Sequence, residues 1–264
     1  MRKTRHTTYK RRGGSVLKRF RKYLLSLLLC CSPLFVQTAQ GAVRGSPYWT
    51  QKGDGWIVYS ITTSQPIIAI TFDDGPSQQF TPKILQILHH YHAHATFFVI
   101  GSVARQYPNL LLSIKQDGHE IGNHTEHHRQ LSEVTTSDIT MCDKTVQSLT
   151  GVRPSLLRPP GGHLTMQFLS MARKTNHKIA MWTWDVDAKD WSRPGVQKIV
   201  NTVIKNVDPG DILILHDGGG KRSQTVEALS IILAHLHKDG YQFVTVSELL
   251  QHGSILQKKS FDTK

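Results

Sequence analysis

Residues 67 to 76 read Ile-Ile-Ala-Ile-Thr-Phe-Asp-Asp-Gly-Pro, "IIAITFDDGP". The run from Ile67 to Phe72 is apolar at all but one position and too short for a helix, which is the pattern of a strand buried on both faces. Gly75 and Pro76 end it. Two carboxylates, Asp73 and Asp74, thus stand at the exit of a buried strand. A helix signal follows, with Thr81 as N-cap, Pro82 at the first helical position, and Ile84, Leu85, Ile87 and Leu88 at helical spacing.

The same unit recurs toward the C-terminus. Strands are predicted at Ala95 to Ile100, Glu120 to Asn123, Ser155 to Leu157, Ile179 to Trp184, Ile212 to Leu215 and Tyr241 to Val246. Between them, helices are predicted from Pro108, from Thr135 to Leu149, after a Thr165 cap, from Pro194, after a Ser223 cap and, last, from Ser247 to Leu250. Gly118 and Gly240 end two of them. Strands alternating with helices imply a mainly parallel sheet. About seven units over roughly 190 residues predict an α/β fold, a distorted (β/α) barrel of about seven parallel strands with outer helices.

The chain has 264 residues and a formal net charge of +13. Ten basic residues lie between Arg2 and Lys22, and no acid precedes Asp54. The remainder is only mildly basic, which argues against nucleic-acid binding by the folded domain. The basic arm leads into Tyr23 to Val36, "YLLSLLLCCSPLFV", and then "QTAQGAV". A basic region, an apolar stretch and a small-residue exit form a secretory signal, cleaved after Gly41 or Ala42. An uncleaved membrane anchor is the alternative, although the run is short of the ~20 residues of a span. The expected organisation is a signal peptide or membrane anchor at 1–41, a linker or lead-in at 42–66, a catalytic domain at 67–252 and a tail at 253–264. That places the protein outside the cytoplasm, secreted or held at the cell envelope, and any membrane contact runs through that anchor. Only Cys142 remains beyond the signal segment, so the mature chain holds no internal disulfide. It reads as a half-buried helix residue.

In (β/α) folds, the strand C-termini and the loops after them carry the site. After the successive strands come Asp73 and Asp74; His124, Thr125 and His128; Arg158 to Gly162; Asp185, Asp187, Asp190 and Trp191; then His216 and Asp217. Five loops at one end gather acids, histidines and an arginine. Residues 122 to 128 read "GNHTEHH". Residues three or four apart share a helical face, so His124 can pair with His127 or with His128. Asp73 or Asp74 can complete a facial set of three, since consecutive residues leaving a strand point to opposite sides. Three protein ligands leave positions open for water, the mark of a catalytic metal. The histidines of "HHYHAH" (His89, His90, His92, His94) fall at a helix C-terminus, away from this end.

These residues resemble the polysaccharide deacetylases of carbohydrate esterase family 4. The resemblance spans roughly Ile67 to Leu250 and rests on five motifs in order: "TFDDGP" at 71–76, "HTEHH" at 124–128, "RPPGG" at 158–162, "DAKDW" at 187–191 and "LILHD" at 213–217. It implies His124 and His128 as metal ligands with Asp74 as the third, and Asp73 as catalytic base. It implies that Arg158 holds the base, that His216 is the general acid and that Asp190 tunes it. Pro160, Gly161, Trp191 and Leu215 are implied in substrate binding, with the Gly161 N–H as oxyanion donor and Trp191 and Leu215 around the acetyl methyl. The implied cofactor is a divalent metal, zinc, with cobalt or nickel as substitutes. The implied activity is removal of N-acetyl groups from N-acetylglucosamine units of a cell-wall polysaccharide such as peptidoglycan, releasing acetate. Alternatives are a chitooligosaccharide or acetyl-xylan deacetylase, and a catalytically silent glycan-binding module. Gly161 departs from the aromatic residue that many members carry after the two prolines.

Overall fold

The computed structural model describes residues 55–255; the basic arm, the apolar run that follows it and most of the expected tail lie outside them. The elements in chain order are β1 (Ile57–Val58), β2 (Ile61–Thr62), β3 (Ile67–Asp73), α1 (Thr81–His90), β4 (Ala95–Val99), α2 (Gly101–Gln106), α3 (Pro108–Gln116), β5 (Glu120–Asn123), α4 (Thr136–Thr150), β6 (Leu156–Leu157), α5 (Met166–Lys174), β7 (Lys178–Ala180), α6 (Val196–Asn206), β8 (Ile212–His216), α7 (Ser223–Lys238), β9 (Gln242–Val244), α8 (Val246–Leu249) and β10 (Ser254–Ile255).

Eight strands form one parallel sheet in the order β1-β7-β6-β5-β4-β3-β8, with β9 also pairing β3. The sheet curls until its ends approach. Thr183, just past β7, donates to the carbonyl of Ile212 at 2.9 Å, and Ser60 bridges Asp211. The result is the expected distorted barrel with helices outside. Residues 57 to 62, read from sequence as lead-in, contribute β1, which joins the sheet, and β2, which pairs antiparallel with β10.

Strand alternation divides the core in two. On β3, Ile68, Ile70 and Phe72 face outward beneath the helices, together with Phe97, Leu213 and Leu215. Ile67 and Ala69 face into the curl with Phe98, Ile212 and Ile214. The inward face of β3 continues as Thr71 and Asp73, both buried. The interior of the curl therefore turns from apolar to polar toward the strand C-termini, and the register Asp73↔His216 brings two chemistry-bearing residues side by side there.

Several local expectations change. Thr81 is the first residue of α1, with Phe80 at the N-cap position, because the Thr81 hydroxyl donates to the buried Asp217 carboxylate and accepts from the Ser77 N–H. Ser223 opens α7 after Arg222 at the cap. α2 has no counterpart in the sequence reading: it has six residues and no side-chain cap, so its signal is weak. Thr165 does cap its helix, while Thr135, expected as the first helical residue, is instead the N-cap of α4 in a reciprocal capping box with Asp138.

Candidate active site

Asp74, His124 and His128 converge. One potential ligand atom from each lies within 4.8 Å of the others, the only such group of three among the described residues. Asp74 Oδ1 stands 3.5 Å from His124 Nε2 and 3.3 Å from His128 Nε2. Sequence alternation would send Asp73 and Asp74 apart, yet Asp73 Oδ2 also comes within 3.8 Å of His124 Nε2. The reason is backbone geometry. Asp74 leaves the strand with φ 74°, and Thr125 (66°) and His128 (49°) share that left-handed region. Non-glycine residues pay for that conformation, and such outliers cluster where function needs them.

The second neighbours fix these ligands. His124 is buried, and its Nδ1 lies 2.9 Å from the Arg158 carbonyl oxygen. Nδ1 carries the proton in that bond, so Nε2 presents its lone pair to the cluster. Beneath the histidine loop, Asn123 accepts from the Thr125 N–H at 2.8 Å, and its amide donates to Asp143 at 2.7 Å. Glu126 is fully buried and salt-bridged to Arg105. Gly101 has to be glycine here, because a Cβ would meet the Glu126 carboxylate at 2.1 Å.

Three features fit a cation. Asp74 Oδ1 is buried with no hydrogen-bond partner among the described residues. Burial works to raise the Asp74 pKa, but the close imidazoles of His124, His216 and His128 outweigh it and hold this carboxyl well below the usual range. The donor set of one carboxylate and two imidazoles suits a borderline divalent metal with open positions.

Asp73 is oriented separately. Its Oδ1 accepts from Arg158 Nη1 at 2.8 Å. Arg158 is the largest fully buried side chain among the described residues, and the curl satisfies it. Nε donates to Ala180 O and Nη2 to Met181 O, Nη1 also donates to Thr71 Oγ1, and the guanidinium lies 4.0 Å over the Phe98 ring. On the neighbouring strand, His216 Nδ1 donates to Asp190 Oδ1 at 2.7 Å. Asp190 Oδ2 accepts from the His216 N–H and from Thr225 Oγ1. Burial opposes charge on His216, but the Asp190 hydrogen bond and charge, helped by Asp73 and Asp74, raise its pKa overall.

Pro160 and Gly161 form a short turn after β6, with Gly161 at φ 68°, and they line a cavity beside His128. Trp191 lies on a turn after β7 and is 54% exposed. The expectation for Leu215 is corrected. It packs outward under the helices, opposite Phe72, and Ile214 is the β8 residue on the His216 face. Alternation along the strand makes the difference, since residues two apart share a face.

Sequence reasoning assigned no role to Asn123, Glu126, Thr225 or Asp217. Asp217 is fully buried, its Oδ1 has no hydrogen-bond partner among the described residues, and burial, joined by Asp74 and Asp73, pushes its pKa up to about 7 against the Thr81 hydrogen bond. It stands in the "LILHD" motif and so had a signal. Thr225, in the first turn of α7, had none.

The polysaccharide deacetylase family model matches residues 60–180. A peptidoglycan-N-acetylglucosamine deacetylase of Bacillus cereus is 45% identical over 202 residues, which cover 75% of this chain and 94% of that protein. A chitooligosaccharide deacetylase of Sinorhizobium fredii is 36% identical, covering 68% of this chain and 89% of its own. Among solved structures, the Bc1960 peptidoglycan N-acetylglucosamine deacetylase superposes with a TM-score of 0.72 at 33% identity, over 79% of this chain and all of that one.

Proposed function

The chain belongs to the polysaccharide deacetylase family, and from that premise we propose that it is a metal-dependent hydrolase that removes N-acetyl groups from N-acetylglucosamine units of peptidoglycan. The observation that carries this reading is the joint placement of three groups at one end of the curl: the Asp74–His124–His128 set, the Asp73–Arg158 pair and the His216–Asp190 pair. The 45% identical relative supports peptidoglycan as the substrate. The chitooligosaccharide deacetylase relative keeps an N-acetylglucosamine oligomer as the second reading.

Asp74, His124 and His128 are the residues that would hold the metal, and zinc suits their donor set. When bound, such an ion polarises an amide carbonyl and lowers the pKa of water. The protein's own groups do the rest. Asp73 takes a proton from the attacking water through Oδ2, while Arg158 grips Oδ1 and keeps the carboxylate in place. The Gly161 N–H donates to no other group among the described residues, which suits it to hold the tetrahedral oxyanion. His216, favoured in its protonated form, gives its proton to the amide nitrogen, whose departure as an amine needs it. Asp190 and Thr225 set the ring's orientation. Acetate and a free glucosamine unit result.

The basic arm and apolar run would carry this activity out to the cell envelope, by a cleaved signal or as an anchor. The described residues contain no helix long and apolar enough to cross a membrane.

Acetate release from purified peptidoglycan and from an N-acetylglucosamine oligomer, with zinc and then with a chelator, tests the reading. Release that the chelator abolishes is expected, faster from peptidoglycan. No release from either substrate by protein shown to hold metal would sink it and favour a silent glycan-binding module.

A further inference from the structure

A cavity of about 680 Å³ opens beside the ligand set, and its lining shows a chemical bias. His128 and Gly161 belong to the site end. Arg129 and Gln130 line it from the segment after the histidine loop, and His163 and Gln167 from the segment after the "RPPGG" turn. None of its lining residues is acidic, although Asp73, Asp74, Asp190 and Asp217 all stand at the same end of the sheet. A neutral oligosaccharide offers hydroxyl and carbonyl oxygens to an arginine in such a groove but no anion to pair with its charge.

Arg129 has a guanidinium to spare. It is half exposed, and its ion pair within 4.0 Å among the described residues is with Asp138, whose Oδ1 lies 4.0 Å from Nε, outside hydrogen-bond reach. Asp138 is already committed: Oδ2 accepts from the N–H and hydroxyl of Thr135 in the cap of α4. Asp138 is thus shared between the helix cap and a long ion pair with Arg129 Nε, and the terminal nitrogens of Arg129 make no hydrogen bond among the described residues. A planar fork of donors at the rim of a polar groove suits a carboxylate. Its place next to His128 in sequence puts that carboxylate close to the reacting amide.

Building on the deacetylase reading above, we infer that Arg129 is a specificity residue, which recognises a carboxylate carried on the sugar next to the one being deacetylated. In a cell-wall glycan two sources bear that chemistry, the lactyl group of a peptide-free muramic acid and the carboxylates of its attached peptide. Arg129 thus sets a preference for acidic glycan over a neutral N-acetylglucosamine polymer.

The experiment compares the wild-type protein with Arg129→Gln and Arg129→Lys at low and high salt. KM and kcat for acetate release are measured on peptidoglycan with its peptides, on the same glycan stripped of peptides, and on a neutral N-acetylglucosamine oligomer. In Arg129→Gln the ratio of KM on acidic glycan to KM on neutral oligomer rises roughly fivefold at low salt, the scale of an exposed charged pair. The change shrinks at high salt and is partly restored in Arg129→Lys. A rise on the stripped glycan assigns the contact to the lactyl carboxylate, and a rise confined to the intact polymer assigns it to the peptide. An unchanged ratio overturns the inference while leaving the deacetylase reading intact, as does wild-type activity on the neutral oligomer alone. No acetate from any substrate overturns both.

Discussion

At the residue scale, the site depends on pairs in which one member acts and the other holds it. Asp190 is the clearest holder, because it grips His216 through the ring and the backbone at once. Its charge favours the protonated ring, so removing it lowers the His216 pKa. Activity that needs a protonated His216 then fails at lower pH. Asp190→Asn should move the basic limb of the kcat profile toward acid, and a pH series of initial rates checks this. An unmoved limb would assign the titration to another group. Glu126 and Arg105 are a second such pair, beneath the loop between two ligands. Arg105→Ala leaves a fully buried carboxylate without its partner. Because Arg105 is half exposed, water softens the loss, and a cost of about 1–3 kcal/mol is expected in denaturant unfolding. Unchanged stability would show that the pair is solvated.

At the element scale, the sheet is sensitive to one buried histidine. His119 precedes β5, and its Nδ1 accepts from the N–H of Ala95, the first residue of β4. Burial lowers its pKa to about 4, against the charge of Asp117, and His94 and His89 add to the lowering. The folded state thus binds this proton less readily than the unfolded one. The stabilising difference is complete above the unfolded value near 6.5 and is lost as pH falls toward 4, up to ~3 kcal/mol in all. His119→Gln should flatten the stability-against-pH curve in that window, measured by urea unfolding at several pH values. An unaltered slope would place the dependence elsewhere. The elements themselves were mostly legible. Most strands from β3 to β9 follow apolar runs bounded by turn residues, although β5, Glu-Ile-Gly-Asn, does not, and α5 has the Thr165 cap its sequence announces. α2 was not legible, since six residues starting at Gly101 give no periodicity to read. Thr81 misled because a buried acid 136 residues away competes for its hydroxyl. Leu215 misled because a motif names positions without saying which face of the strand each takes.

At the scale of the whole molecule, the curl of the sheet produces the site. Asp73 and His216 meet through the pairing of β3 with β8, and Arg158, from after β6, reaches Asp73 and Thr71 because the sheet bends across the strands between them. Sequence could place the chemistry at one end of the strands, but the convergence of Asp73 and Asp74 on one imidazole needed three left-handed residues that no pattern marks. A metal on Asp74, His124 and His128 ties β3 to the loop after β5. It should therefore stabilise the fold, by about 2.7 kcal/mol at a hundred times its dissociation constant. Thermal unfolding with zinc and with a chelator checks this, and coincident transitions would show that no metal binds the folded state. The most direct test of the central claim is a zinc titration of metal-free protein, following acetate release from peptidoglycan for the wild type and for Asp73→Asn. The wild type should gain activity up to one equivalent of zinc. Asp73→Asn should bind the same equivalent and run slower by ~10²- to 10⁴-fold, the usual loss of a general base. Release that ignores zinc, or an Asp73→Asn protein that turns over like the wild type, would contradict the account.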